Sequence, residues 1–173
     1  CCGAEPIPGM HHSAFAIKVN DFLERMCYNT YEALQRRKGA AMKNILFFLK
    51  PKAMCSYLQD DYTIRQALEK MESAGFAALP ILNKQGEYRG SLSEGDMLWA
   101  MKNICYMDIR QAEAHRMLEI ERRKDYVPVR VTTDMHDLIE RASTQNFVPV
   151  VDDKNAFIGI ITRSSIVQYC KKQ

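Results

Sequence analysis

What this sequence lacks narrows it first. It contains neither a P-loop nor the Rossmann glycine pattern, so both common glycine-rich phosphate cradles are excluded. Its six cysteines are scattered without a CxxC or any paired spacing. Cys1 and Cys2 are adjacent, and neighbours rarely bridge, so free thiols in a reducing cytoplasm are expected. No apolar run approaches a membrane span; the longest uncharged one near the middle is Ile45–Leu49. The net charge is only +3, too small to argue for nucleic acid or an anionic membrane as partner. The four histidines are His11, His12, His115 and His136. None stands in a nucleophile arrangement with Cys, Ser or Asp, and His11 and His12 are adjacent rather than i, i+4 as a helical metal site requires. The expectation is a protein that is not an enzyme and has no metal site and no resident cofactor.

What is present is of ordinary globular composition. The 173 residues, 47% hydrophobic and 26% charged, suffice for one compact domain or two small units sharing a core. Residues 1–41 do not match the rest. They show no strong amphipathic period, no repeat partner and no signal-peptide pattern. Met42 opens a new register, MKNILFFLKPK, and is read as the natural start, with Arg36–Ala41 as a translated ribosome-binding site. The alternative is a mobile or helical extension, with Asp21–Leu34 able to form a short helix.

The strongest signal is internal repetition. Residues 76–99 and 146–169 say the same thing twice. Pro80 falls on Pro149, Gly90 on Gly159 and Ser93 on Thr162, each displaced by 69 positions. Two copies of one supersecondary unit, neither able to bury its apolar face alone, imply a pseudo-twofold with two related clefts, where small ligands sit.

Each copy spells β-α-β-β-α. A short strand near Ser56–Gln59 precedes a helix opened by the capping box of Thr63 and Gln66, with Ile64, Ala67, Leu68 and Met71 on one face and Gly75 as its left-handed stop. Ala77–Leu82 is a continuous apolar run and predicts a buried strand; Asn83–Gly86 turns it into Tyr88–Leu92, and Ser93 caps a second helix through Met97, Leu98 and Met101. In the second copy Tyr126–Val131 leads, its Pro128 marking an edge. Asp134 caps a helix facing inward through Met135, Leu138, Ile139 and Ala142 and ending at Asn146. Phe147–Val151 and Phe157–Ile161 form a hairpin around Asp152–Asn155, and Thr162 caps a last helix to about Cys170. Between the copies, Asp108–Glu121 predicts one amphipathic helix, followed by the basic cluster Arg122-Arg123-Lys124, either a solvated face or a phosphate contact.

Residues Leu79-Pro80-Ile81-Leu82 and Val148-Pro149-Val150-Val151-Asp152, with Gly90 to Asp96 and Gly159 to Ser165, carry a resemblance. The chain resembles a tandem pair of cystathionine β-synthase (CBS) domains, a Bateman module, over about Met42–Tyr169. The resemblance implies an α+β fold of two β-α-β-β-α repeats packed with pseudo-twofold symmetry. The expected divisions are 1–41 unmatched, 42–104 first repeat, 105–121 linking helix and 122–173 second repeat. It also implies a stand-alone bacterial regulatory protein that senses an adenine nucleotide, forms a homodimer and acts on an unknown protein partner. Candidate ligands are AMP, ADP, ATP, S-adenosylmethionine and cyclic di-AMP.

Ser/Thr-x-x-Asp at a helix start is by itself a capping box. The same position also presents free N–H groups and partial positive charge to a phosphate. By the resemblance, Ser93 binds phosphate and Asp96 the ribose hydroxyls, while Ala78, Leu79 and Pro80 frame the base; Val148 and Pro149 do so in the second cleft. There Thr162 is kept, but Ser165 stands where Asp is expected, and a hydroxyl is no bidentate charged acceptor for a diol. Losing a charge-assisted hydrogen bond costs ~1.5–3 kcal/mol. Arg163 remains as a candidate phosphate partner. Phe147 is either a base-stacking ring or a core aromatic. The second cleft is therefore empty, weaker, or tuned to another ligand such as a cyclic dinucleotide. A ligand-free dimerisation or scaffold module is the alternative function.

Overall fold

The structure, a computed structural model, describes residues 44–171. The readings of residues 1–41, of Met42 as the start and of His11 and His12 lie outside the described residues. Among the described residues no helix is long and apolar enough to cross a membrane.

Two α+β units follow one another. The first holds β2 (Leu58–Gln59), α1 (Ile64–Ala74), β3 (Ala78–Leu82), β4 (Tyr88–Ser93) and α2 (Glu94–Asn103). The second holds β5 (Val129–Arg130), α4 (Met135–Thr144), β6 (Phe147–Val151), β7 (Phe157–Thr162) and α5 (Arg163–Lys171). Between them lies α3 (Ile109–Ala114), and ahead of both runs β1 (Lys50–Pro51). The leading strands pair parallel to the hairpins, Leu58 opposite Ile81 and Val129 opposite Val150. The hairpins share one register, Ala78 opposite Ser93 and Phe147 opposite Thr162. Both central strands, β3 and β6, are buried along their whole length, as their unbroken apolar runs require.

Local chemistry explains the helix ends. Thr63 Oγ1 accepts the Gln66 amide at 3.2 Å while Gln66 Oε1 accepts the Thr63 amide at 3.0 Å, and Gly75 closes α1 at φ +66°. Asp134 Oδ1 accepts the Asp137 amide at 2.9 Å and opens α4, which buries Met135, Leu138, Ile139 and Ala142 and ends against Gln145, one residue ahead of Asn146.

Three features depart from the sequence reading. The helix expected over Asp108–Glu121 breaks after Ala114 and resumes only as a 3₁₀ turn over Met117–Glu119. Around the break the backbone pairs elsewhere: Ile64 donates to the His115 carbonyl at 3.0 Å and Met117 to that of Tyr62 at 2.9 Å. The strand expected over Tyr126–Val131 shrinks to Val129–Arg130. Side chains take the donors ahead of it, Ser91 Oγ that of Tyr126 at 3.0 Å and Gln145 Oε1 that of Val127 at 2.8 Å, and Pro128 has none. Residues 45–51, expected to open the first repeat, join the second instead. Ile45 and Phe48 are buried in its core with Val129, Leu138, Val148 and Ile161, and β1 pairs antiparallel with β7 in the sheet order β1-β7-β6-β5.

That crossing explains the paired glycines. A Cβ on Gly159 would lie 2.2 Å from the Lys50 carbonyl oxygen, so only glycine lets β1 pass. At Gly90, with φ +141°, a Cβ would lie 2.6 Å from Asp125 Oδ1. The segment ahead of each unit thus crosses the repeated glycine of the other. The hairpin tips also meet: Tyr88 donates to the Asn155 carbonyl at 3.2 Å and Phe157 to that of Gly86 at 2.9 Å. Leu82, Tyr88, Val151 and Phe157 form a small core beneath them.

Candidate functional site

The repeated helix starts differ in chemistry. In the first copy Ser93 Oγ donates to Asp96 Oδ2 at 2.6 Å, the Ser93 amide reaches the same oxygen at 3.1 Å, and the Asp96 amide returns to Ser93 Oγ at 3.1 Å. The other carboxylate oxygen, Oδ1, accepts the Arg123 amide at 3.1 Å. Asp96 is only 4% exposed, and both of its oxygens are engaged inside the chain.

The basic cluster covers this place. Arg122 pairs with Asp125 at 3.1 Å, the Arg123 guanidinium lies 4.6 Å above the Trp99 ring, and Lys124 donates to the Thr144 carbonyl at 3.0 Å. All three residues have protein partners.

In the second copy Thr162 Oγ1 accepts the Ser165 amide at 3.2 Å, an ordinary N-cap. Ser165 does not reciprocate as Asp96 does; its hydroxyl donates to the Thr162 carbonyl at 2.7 Å. Arg163 Nε donates to the Gln145 carbonyl at 3.2 Å, which ties this candidate phosphate partner to the end of α4.

A cavity of about 240 Å³ opens between the two units beside Thr162. Of the expected residues it brings together Ala78, Leu79, Pro80, Phe147 and Thr162. Ser93, Asp96, Val148, Pro149, Arg163 and Ser165 are not in its lining. Phe147 is buried, as a core aromatic is, meets Tyr126 edge-on at 4.8 Å, and also forms part of the cavity wall.

The cavity also holds residues that sequence reasoning missed: Lys50, Cys55, Ser56, Phe76, Ala77, Asn146, Ile160 and Ser164. Lys50 Nζ stands 5.6 Å from the centre of the half-exposed Phe76 ring. Cys55 Sγ donates to the Pro51 carbonyl at 3.2 Å; burial pushes its thiol pKa up, with Lys50 pulling the other way. Lys50, Cys55 and Ser56 lie ahead of the repeated stretch, so the 69-residue offset gave no signal for them. Ser164, inside the capping motif, was within reach of that signal.

Among the described residues the lining offers an ammonium, hydroxyls, an amide and a thiol against apolar and aromatic walls, with neither carboxylate nor imidazole. Such a set can hold a planar, anionic molecule. Elsewhere, Asp134, His136 and Asp137 place exposed ligand atoms within 4.8 Å of one another. The Asp134 carboxylate there already caps α4.

The family model of the CBS domain matches residues 55–103 and 118–172. Among solved structures, that of CbpB in complex with c-di-AMP superposes with a TM-score of 0.68 at 19% identity, covering 86% of this chain and 93% of that one. CBSX2 in complex with AMP superposes with a TM-score of 0.59 at 22% identity, over 75% of this chain and 97% of that one. The A-adding tRNA nucleotidyltransferase of Aquifex aeolicus (strain VF5) is 23% identical over 166 residues, 95% of this chain and 19% of that enzyme. The chain thus spans about a fifth of the length of the curated relative it matches. At these identities the solved structures establish the fold.

Proposed function

Because the chain belongs to the CBS-domain family, we propose that it is a regulatory module that binds an adenine nucleotide in the cleft beside Thr162 and has no catalytic activity of its own. The observation that carries this reading is the cavity between the units, where an apolar slot meets a cation. Ala78, Leu79, Pro80 and Phe147 suit the faces of a base, while Lys50 and the Thr162 hydroxyl suit a phosphate. The volume, about 240 Å³, accommodates a base and part of a sugar, with the rest of the ligand toward the mouth.

The chemistry also ranks the candidates. AMP, ADP, ATP and S-adenosylmethionine carry a free ribose diol, which a carboxylate reads best, and Ser165 supplies none. In cyclic di-AMP the 3′ oxygen is esterified, so no diol is left unread and this ligand loses least at the cleft. The two solved neighbours, one with c-di-AMP and one with AMP, support an adenine-nucleotide class. A homodimer suits the exposed apolar side chains of Leu98, Tyr106, Met107 and Ile109 around the α2–α3 turn. Free Cys55 and Cys105 suit a cytoplasmic location.

Calorimetry of the full chain against the five candidates tests the reading. Cyclic di-AMP is expected to bind more tightly than AMP. Lys50→Ala, which removes a charge-assisted contact of ~1.5–3 kcal/mol, should weaken it roughly tenfold or more. Folded protein that binds none of the five at millimolar concentration overturns the reading. The engagement of both Asp96 oxygens inside the chain favours the second reading in that event, a ligand-free dimerisation or scaffold module.

A further inference from the structure

The two clefts are related by the repeat, yet the segments that cross them behave differently. Over the second unit the crossing segment lies flat as β1, with Lys50 opposite Ile160 and Pro51 opposite Gly159, and the cavity remains open beside it. Over the first unit the crossing segment forms no ladder and turns inward. The Arg123 amide donates to Asp96 Oδ1 at 3.1 Å, Asp125 Oδ1 accepts the Ser91 amide at 3.0 Å, and the Tyr126 amide donates to Ser91 Oγ at 3.0 Å. The Tyr88 hydroxyl then donates to the Tyr126 carbonyl at 2.7 Å.

We propose that residues 122–126 are a built-in occupant of the first cleft, a latch that keeps ligand out of it and restricts the chain to one nucleotide, bound beside Thr162. The match of chemistry supports this. A ribose brings hydroxyl donors to Asp96, and the Arg123 amide already donates there. A phosphate brings negative charge, and the Asp125 carboxylate already stands on the Ser91 amide, where it repels a second anion. The Arg122–Asp125 ion pair at 3.1 Å holds the latch in shape from within. Arg123, Lys124 and Asp125 are exposed, so the latch can lift without opening the core beneath it. The count of one ligand rests on the nucleotide reading above; the closed latch does not.

The test therefore has an arm that needs no ligand. Amide exchange on the full chain should show Ser91, Arg123 and Tyr126 protected at least about tenfold more than the exposed Lys124 amide, with or without nucleotide. Exchange at the rate of Lys124 overturns the latch whatever binds. Trp99, the one tryptophan of the chain, lies under Arg123 and reports lifting. In Asp125→Ala its acrylamide quenching should rise and the protection of Arg123 should fall; unchanged values in folded protein overturn the proposal. Asp125→Asn, which keeps the shape without the charge, serves if the alanine variant does not fold. In calorimetry with AMP and with cyclic di-AMP, wild type should bind one molecule per chain, and Asp125→Ala should add an AMP site that Asp96→Asn removes. Two sites in wild type, or a single site removed by Asp96→Asn, overturn the latch. If neither nucleotide binds any variant, the nucleotide reading fails and amide exchange alone decides the latch.

Discussion

Asp96 and Ser165 occupy the same position of the repeat and do opposite things. The carboxylate closes a reciprocal cap on Ser93, while the hydroxyl folds back to the Thr162 carbonyl at 2.7 Å. The substitution was legible in the sequence because the repeat register places the two residues together. The partner of Asp96 Oδ1 was not, since a backbone amide 27 positions away carries no residue signature. Ser165→Asp should complete the motif and gain AMP affinity by roughly tenfold or more, the value of a charge-assisted hydrogen bond. Cyclic di-AMP should weaken in the same variant, as charge is added beside its phosphates. Calorimetry of both ligands on folded protein checks this, and parallel changes for the two would contradict the diol argument. Glycine 159 makes a second residue-scale case. In Gly159→Ala the new carbon meets the Lys50 backbone, 2.2 Å away at the carbonyl oxygen, and backbone cannot step aside as a side chain can. Overpacking of this kind costs about 1–3 kcal/mol. Thermal denaturation should show a Tm several degrees lower, and an unshifted Tm would mean that β1 is not held against β7.

Elements defined by local chemistry were legible, and elements defined by distant backbone were not. The caps of α1 and α4, the two hairpins and the buried runs of β3 and β6 all lie where side-chain pattern places them. The linking helix failed because its apolar spacing, Ile109, Ala112, Met117 and Ile120, is also met by a short helix, an extended crossing at His115 and a 3₁₀ turn. Tertiary pairing with Tyr62 and Ile64 selects the second solution. Glu119 reinforces it by accepting the Arg116 amide at 2.8 Å and pairing with His115 at 2.7 Å, which holds its carboxyl below the usual range. The place of Ile45–Phe48 was hidden for another reason. An apolar run shows that it will be buried, not against which of two similar cores. Phe48→Ala should cost about 3–5 kcal/mol, although the residue precedes the first unit in sequence. Urea unfolding should register that loss as a lower midpoint with an unchanged slope. A change below 1 kcal/mol would show that residues 45–48 do not belong to the second core.

At the scale of the whole molecule the question is whether the two units are one cooperative body. Each is crossed by the segment that leads into the other, their hairpin tips exchange backbone hydrogen bonds, and Leu82 and Tyr88 of one unit share a core with Val151 and Phe157 of the other. The repeat made two similar units legible. It could not show this interlocking, which rests on a glycine contact, a two-residue strand and carbonyls at turn tips. Trp99 lies on α2 of the first unit and Ile161 is fully buried in the core of the second, in a different cluster. Ile161→Ala opens a cavity in that core and should cost about 2–5 kcal/mol. If the chain unfolds as one body, Trp99 fluorescence must report the whole of that loss. Its urea midpoint should fall together with the far-UV circular dichroism midpoint, and the two curves should stay superimposed. Independent units would leave the Trp99 midpoint where it is in wild type and split the dichroism transition in two. That outcome would also remove the physical basis for the proposed coupling, because the cavity beside Thr162 is lined by Ala78 and Phe147 of the two units at once, and a ligand held there would act on both only if they move together.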